Sequence, residues 1–150
     1  MPLIKTETII KADIETCFNL ARNIDIHQES LKYYGEIAIS GKTTGLIELG
    51  EFVIWEARHL GFVQHLTSQI IEFEQSSYFV DEMVSGAFKS CRHEYAFSES
   101  DNNTIMTNVF YFESPYGILG KVVDRLFLKK YVSNLLVKRN NFLKQKAEAN

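Results

Sequence analysis

The 150-residue chain holds only two cysteines, Cys17 and Cys91, far apart and with no CxxC or His–Cys spacing beside them. That excludes a disulfide scaffold and gives no structural zinc motif, so both thiols are expected to be reduced. No run of eighteen apolar residues exists to span a bilayer, and Met1-Pro2-Leu3-Ile4-Lys5-Thr6-Glu7 lacks the basic-then-apolar layout of a secretory leader. A cytoplasmic protein without integral membrane association is the expectation. Also missing are GxSxG, HExxH, a P-loop and a GxGxxG after a strand, the usual signatures of hydrolases, metalloproteases and nucleotide-binding enzymes. Histidines 27, 59, 65 and 93 are dispersed over several segments without metal-ligand spacing, so neither a metal nor another cofactor is expected.

What is present is apolar bulk: 45% of residues are hydrophobic and 13% aromatic, enough to offset the ordering entropy of a core. The length suits one domain over 1–150, and no linker, repeat or low-complexity tract divides it. The net charge of −3 hides an asymmetry. Residues 119–150 carry eight Lys/Arg against Asp124 and Glu148, and residues 1–118 carry eight against seventeen acids. A basic helix can serve nucleic acid or an anionic membrane, but this one belongs to an acidic protein and carries an apolar stripe. It reads as the solvent face of a helix lying over an acidic sheet, with no nucleic-acid partner expected.

Residues 3–11 are rich in β-branched types and predict a first strand. Asp13 is suited to cap a short helix whose inner face is Ile14, Cys17, Phe18 and Ala21, and residues 24–31 predict a second short helix after a break at Asn23. From Tyr33 to about Glu113, turn signals at 41–45, 60–61, 75–77, 86–87 and 98–103 punctuate six further strands. None of the gaps could hold a crossover helix, so the strands should pair as an antiparallel meander. Apolar residues then recur at helical spacing from Leu119 to Leu143, predicting a helix that begins between Pro115 and Leu119 and runs beyond Asn140.

This order of elements, together with Gly45-Leu46-Ile47-Glu48-Leu49-Gly50-Glu51, Trp55-Glu56-Ala57-Arg58-His59, the stretch Phe79 to Lys89 and Glu113-Ser114-Pro115-Tyr116-Gly117-Ile118-Leu119-Gly120, resembles the SRPBCC, or START-like, superfamily. That superfamily includes lipid-transfer domains, polyketide cyclases and the birch pollen allergen. The resemblance spans essentially the whole chain and is nearest to a bacterial ligand-binding branch without an assigned activity. It implies an α+β helix-grip fold, a seven-stranded curved antiparallel sheet around a long C-terminal helix, with a cavity between them. It implies no fixed catalytic set.

Opposed residues of a hairpin share a face, which sorts the strands into inner and outer sides. A two-residue turn at Leu60-Gly61 sets His59 opposite Phe62, Ala57 opposite Gln64 and Trp55 opposite Leu66, a mainly apolar face taken as inward. A turn at Gly86-Ala87 would set Glu82 opposite Cys91 and Val80 opposite His93, leaving Asp81 and Arg92 to meet outside. Crossing the next loop adds Asn108, Phe110 and Phe112 beside His93 and Tyr95. The expected ligand-binding set is therefore Trp55, His59, Val80, Glu82, His93, Tyr95, Asn108, Phe110 and Phe112 under Leu119, Val123 and Phe127 of the helix. A slip of one residue in a strand would reverse its faces.

The inward polar groups His59, Gln64, Glu82, His93 and Asn108 can satisfy one another or water, orient a ligand oxygen, or support catalysis through His93 with Glu82. Cys91, alone in an apolar strand, suits packing better than nucleophilic chemistry. The expected function is carriage or sensing of a hydrophobic or amphipathic small molecule such as a lipid, isoprenoid or polyketide-like compound. A cyclase, dehydratase or hydrolase of such a compound, and an interaction module whose pocket is filled by side chains, are the alternatives. In the binding reading His93 is a neutral polar contact in aromatic surroundings rather than a catalytic base.

Overall fold

Leu3–Ile10 forms strand β1, after which Asp13 accepts a hydrogen bond from the Thr16 amide at 3.1 Å and opens helix α1, Ile14–Ala21. Asn23 caps α2, Ile24–Ser30, in the same way through the Ile26 amide. These side-chain oxygens satisfy amides that a helix start leaves without partners. The architecture is that of a computed structural model, which describes residues 3–59, 61–113 and 127–149. A short 3₁₀ turn, Lys32–Tyr34, leads into β2 (Ile37–Gly41), β3 (Phe52–His59), β4 (Phe62–Glu74), β5 (Tyr78–Ser85), β6 (Ser90–Ser100) and β7 (Asn103–Glu113). Helix α3, Lys129–Glu148, closes the order. Its predicted start between Pro115 and Leu119 lies outside the described residues.

All seven strands form one antiparallel sheet in the order β1-β7-β6-β5-β4-β3-β2. Only β1 departs from a sequential meander, because it pairs with β7 rather than β2. Bulges in β4, between Thr67 and Ser68 and between Ile70 and Glu72, interrupt its pairing with β5. Such bulges bend a strand and add twist, which curls the sheet toward α3. At the β2 end Gly41 sits at φ 77°, and a Cβ there would meet the Phe52 carbonyl oxygen at 2.4 Å. Glycine is the residue that permits that approach.

One end of the space between sheet and helix is solid. Phe18 of α1 is wholly buried and meets Phe73, Phe79 and Phe97 edge-on at centroid distances of 5.3–5.5 Å. Leu143 and Ala147 of α3, Met106 and Ile10 complete this core. The helix is tied to β1: the Asn140 amide donates to Thr6 Oγ1 at 3.1 Å and Lys144 Nζ to the Ile9 carbonyl at 2.7 Å.

The β3–β4 ladder has the predicted register, His59 with Phe62, Ala57 with Gln64 and Trp55 with Leu66. The β5–β6 ladder does not. Here Asp81 pairs with His93 and Phe79 with Tyr95, one residue away from the expected alignment. The physical reason is that Gly86-Ala87 is not a two-residue turn: pairing stops at Glu82 and Arg92, and Gly86 to Lys89 form a wider bend. The slip exchanges the two faces of β5. Phe79, Asp81 and Met83 point inward, and Val80 and Glu82 point outward.

Candidate functional site

Beyond the Phe18 plug the sheet and helix part around a cavity of about 360 Å³. Trp55 and Ala57 of β3, Gln64 and Ser68 of β4, Asp81 and Met83 of β5, Cys91, His93 and Tyr95 of β6 and Phe110 of β7 form its sheet side. From the other side come His27 of α2, Leu31 just after it, Leu128, and Tyr131, Leu135, Leu136 and Arg139 of α3. Most of this wall is aromatic or aliphatic, and two groups of polar side chains interrupt it.

The first group centres on Arg139. Arg139 is 5% exposed, and its guanidinium donates to the Tyr95 hydroxyl through Nη1 and to the Ala21 carbonyl through Nη2 at 3.0 Å and lies 5.2 Å from the Tyr95 ring centroid. Opposite it, Asp81 is remote from bulk solvent yet keeps surface on the cavity, with the Ser68 hydroxyl beside it. Burial pushes the Asp81 carboxyl up to about 6, against the opposing effects of the Ser68 hydrogen bond and the Arg139 charge. His93 stacks on Tyr95 at 3.9 Å, and its Nε2 lies 2.7 Å from Asn108 Oδ1. Asn108 Nδ2 in turn donates to Asn140 Oδ1 at 3.4 Å, so this network assigns the His93 proton to Nε2 and leaves Nδ1 as an acceptor. Burial, reinforced by the Arg139 charge, pushes His93 down to about 3, making it neutral imidazole.

The second group joins four segments. His27 Nε2 lies 3.1 Å from Glu36 Oε1, His59 Nε2 lies 4.0 Å from Glu36 Oε2, and His59 Nδ1 lies 2.8 Å from the Tyr131 hydroxyl. Burial lowers both histidines despite the carboxylate between them. His27 also lies against Trp55, with ring centroids 4.3 Å apart.

Of the residues expected from sequence, Trp55, His59, His93, Tyr95 and Phe110 lie on the cavity wall. Asn108 stands behind His93 and orients it. Phe112 belongs to a separate buried cluster with Ile4, Val132 and Leu136, while Phe127 stacks on Tyr131 and is half exposed. Two assignments are corrected. Glu82 faces outward, where Arg92 joins it to Glu72 and Glu94, and Val80 is buried on that outer face between its ladder partners Glu72 and Glu94. With Glu82 outside, the His93–Glu82 pair cannot form. Leu119 and Val123 lie outside the described residues.

Asp81 was hidden by the β5 slip, and Glu36 lies in a connection that carries no motif. Arg139 did leave a signal, since it occupies a position of the apolar stripe set by Val132, Leu136 and Leu143. A charge on a buried stripe calls for a function or a partner. Cys91 also lies on the wall, with burial pushing its thiol up to about 12, which removes the thiolate a nucleophile needs. Among the described residues no three His, Cys, Asp or Glu side chains are placed to hold a metal ion, and no helix is long and apolar enough to cross a membrane.

No family model and no curated protein sequence matches the chain. Solved structures do. A START superfamily protein from Mycobacterium smegmatis aligns over 98% of this chain and 97% of its own, at TM-score 0.70 and 12% identity. The major latex-like protein 151 of Panax ginseng aligns over 97% of both chains at TM-score 0.71 and 14% identity. The di-domain ARO/CYC StfQ of the steffimycin biosynthetic pathway aligns over 98% of this chain and 50% of its own, at TM-score 0.76 and 10% identity. At these identities the likeness concerns the fold. The chain has the START-like helix-grip fold, the one its order of elements resembles.

Proposed function

We propose that the chain binds a small apolar or amphipathic molecule between its sheet and α3, as a carrier or sensor and without turnover. The observation that carries this reading is the cavity of about 360 Å³. Its size falls within the roughly 300–1,000 Å³ of small-molecule sites, and its mainly apolar wall with a few convergent polar groups has their character. Two residues of that wall speak against turnover. A His93 held down to about 3 is a poor base at neutral pH, and Cys91 is held as thiol. The ARO/CYC and START names of structural neighbours make a polyketide-like ring or a lipid reasonable ligand classes here.

The test is a titration with the neutral fluorescent probe N-phenyl-1-naphthylamine, following emission of the probe and quenching of Trp55, the only tryptophan. Saturable binding is expected in the unaltered protein. Ala57 faces the cavity, so Ala57→Phe should fill part of it and weaken the probe at least tenfold while the protein stays folded. An unaltered affinity in that variant would place the probe elsewhere and refute the site. Extraction of gently purified protein, followed by native mass spectrometry, would then identify any natural occupant.

A further inference from the structure

Arg139 is a buried cation without a counter-ion in contact. It is 95% withdrawn from solvent by its 5% exposure, it faces the cavity, and among the described residues no carboxylate forms an ion pair with it. Its two hydrogen bonds, to the Tyr95 hydroxyl and the Ala21 carbonyl, use two of the five N–H groups a guanidinium carries. Both acceptors are neutral, because burial holds the Tyr95 phenol up to about 12. An isolated charge is expensive to bury, and one aimed into a cavity is satisfied by what enters that cavity. Asp81, the carboxyl across the space, feels the Arg139 charge but forms no ion pair with it.

We infer that the cavity takes a compact organic acid, an apolar ring-sized body with one carboxylate that docks on Arg139. This rests on the cavity being a binding site and deepens that reading by naming the ligand's charge. A guanidinium presents a planar fork that matches a carboxylate through two parallel hydrogen bonds. Tyr95 holds one side of the fork in place and the Ala21 carbonyl the other, so little side-chain freedom is lost on binding. Trp55, Leu66 and Phe110 of the wall offer apolar surface to the rest of the molecule. At about 360 Å³ the cavity lies near the lower end of the roughly 300–1,000 Å³ of small-molecule sites, which suits a body of one or two fused rings.

The experiment compares naphthalene-2-carboxylate with naphthalene-2-carboxamide, which have the same size and shape but differ in charge, by calorimetric titration of the full chain. The acid is expected to bind at least about tenfold tighter than the amide, and Arg139→Gln is expected to bring the two within about threefold by weakening the acid alone. Arg139→Lys, which keeps the charge without the fork, should fall between. Because Arg139 also anchors Tyr95 and Ala21, the glutamine variant can fail to fold, and Arg139→Lys, which keeps the charge, then carries the comparison with the unaltered protein. A ratio near one overturns the inference, as does a preference that survives in Arg139→Gln or Arg139→Lys unchanged. If the amide and N-phenyl-1-naphthylamine bind while the acid does not gain, only the ligand class falls. If none of the three binds, the binding reading falls with it.

Discussion

Replacing Asp81 by asparagine isolates one electrostatic cost that the fold carries. The carboxyl is raised from 3.8 to about 6 by burial, with Ser68 and Arg139 only partly compensating. The folded state therefore holds a proton on Asp81 that the unfolded chain has already lost between those two values. Stability from this group is fully present below pH 3.8 and is lost as pH rises through 6. Above that, the ionised carboxylate costs about 3 kcal/mol, taking roughly 1.4 kcal/mol for each unit. Water in the cavity makes this an upper value. Asparagine has nearly the same shape, retains an acceptor for the Ser68 hydroxyl and has no charge to bury. At pH 8 Asp81→Asn should therefore melt up to about 6–12 °C above the unaltered protein, at roughly 2–4 °C per kcal/mol for a chain of this size. Near pH 4 the two melting curves should nearly coincide. Thermal unfolding followed by circular dichroism at the two pH values measures both. An increment equal at pH 4 and pH 8, or a variant that is less stable at pH 8, would refute the assignment of a buried, destabilised carboxylate.

Two further outcomes follow from the packing. His93→Gln keeps hydrogen-bonding capacity on the cavity wall and should leave N-phenyl-1-naphthylamine affinity within about tenfold, or roughly 1.4 kcal/mol, in fluorescence titrations. Phe18→Ala removes the wholly buried ring at the meeting point of Phe73, Phe79 and Phe97 and should cost about 3–5 kcal/mol in urea unfolding.

The difference between β3–β4 and β5–β6 shows where the sequence is informative. Gly61, at φ 83°, follows a strand that stays paired to its last residue, so the turn alone sets which side chains oppose. Gly86 follows strands that separate earlier, and dipeptide composition does not encode where pairing stops. That one position decides whether Glu82 or Asp81 enters the cavity. Element order and the helix stripe were legible because they are local periodicities. The His27–Glu36–His59–Tyr131 group was not, because it joins α2, a connection, β3 and α3 across as many as 104 positions, from 27 to 131. Arg139 lay between these cases: its break in the stripe was visible, but its Tyr95 and Ala21 partners required the fold.

The pairing of β1 with β7 also governs how the chain can assemble. Leu3 lies opposite Tyr111, 108 positions away, whereas β2 to β7 each meet a sequence neighbour. A meander of hairpins can form early, because its loops are short and inexpensive to close. During synthesis β1 leaves the ribosome before the other strands and must wait, without its neighbour, until β7 has emerged. Its Ile4 and Ile10 are then available to wrong partners. Helix α3 arrives later still, and its Asn140 and Lys144 bind that strand directly. Completion of the sheet and closure of the cavity thus belong to one late folding step, and a nascent chain shortened before α3 should be unable to retain a ligand.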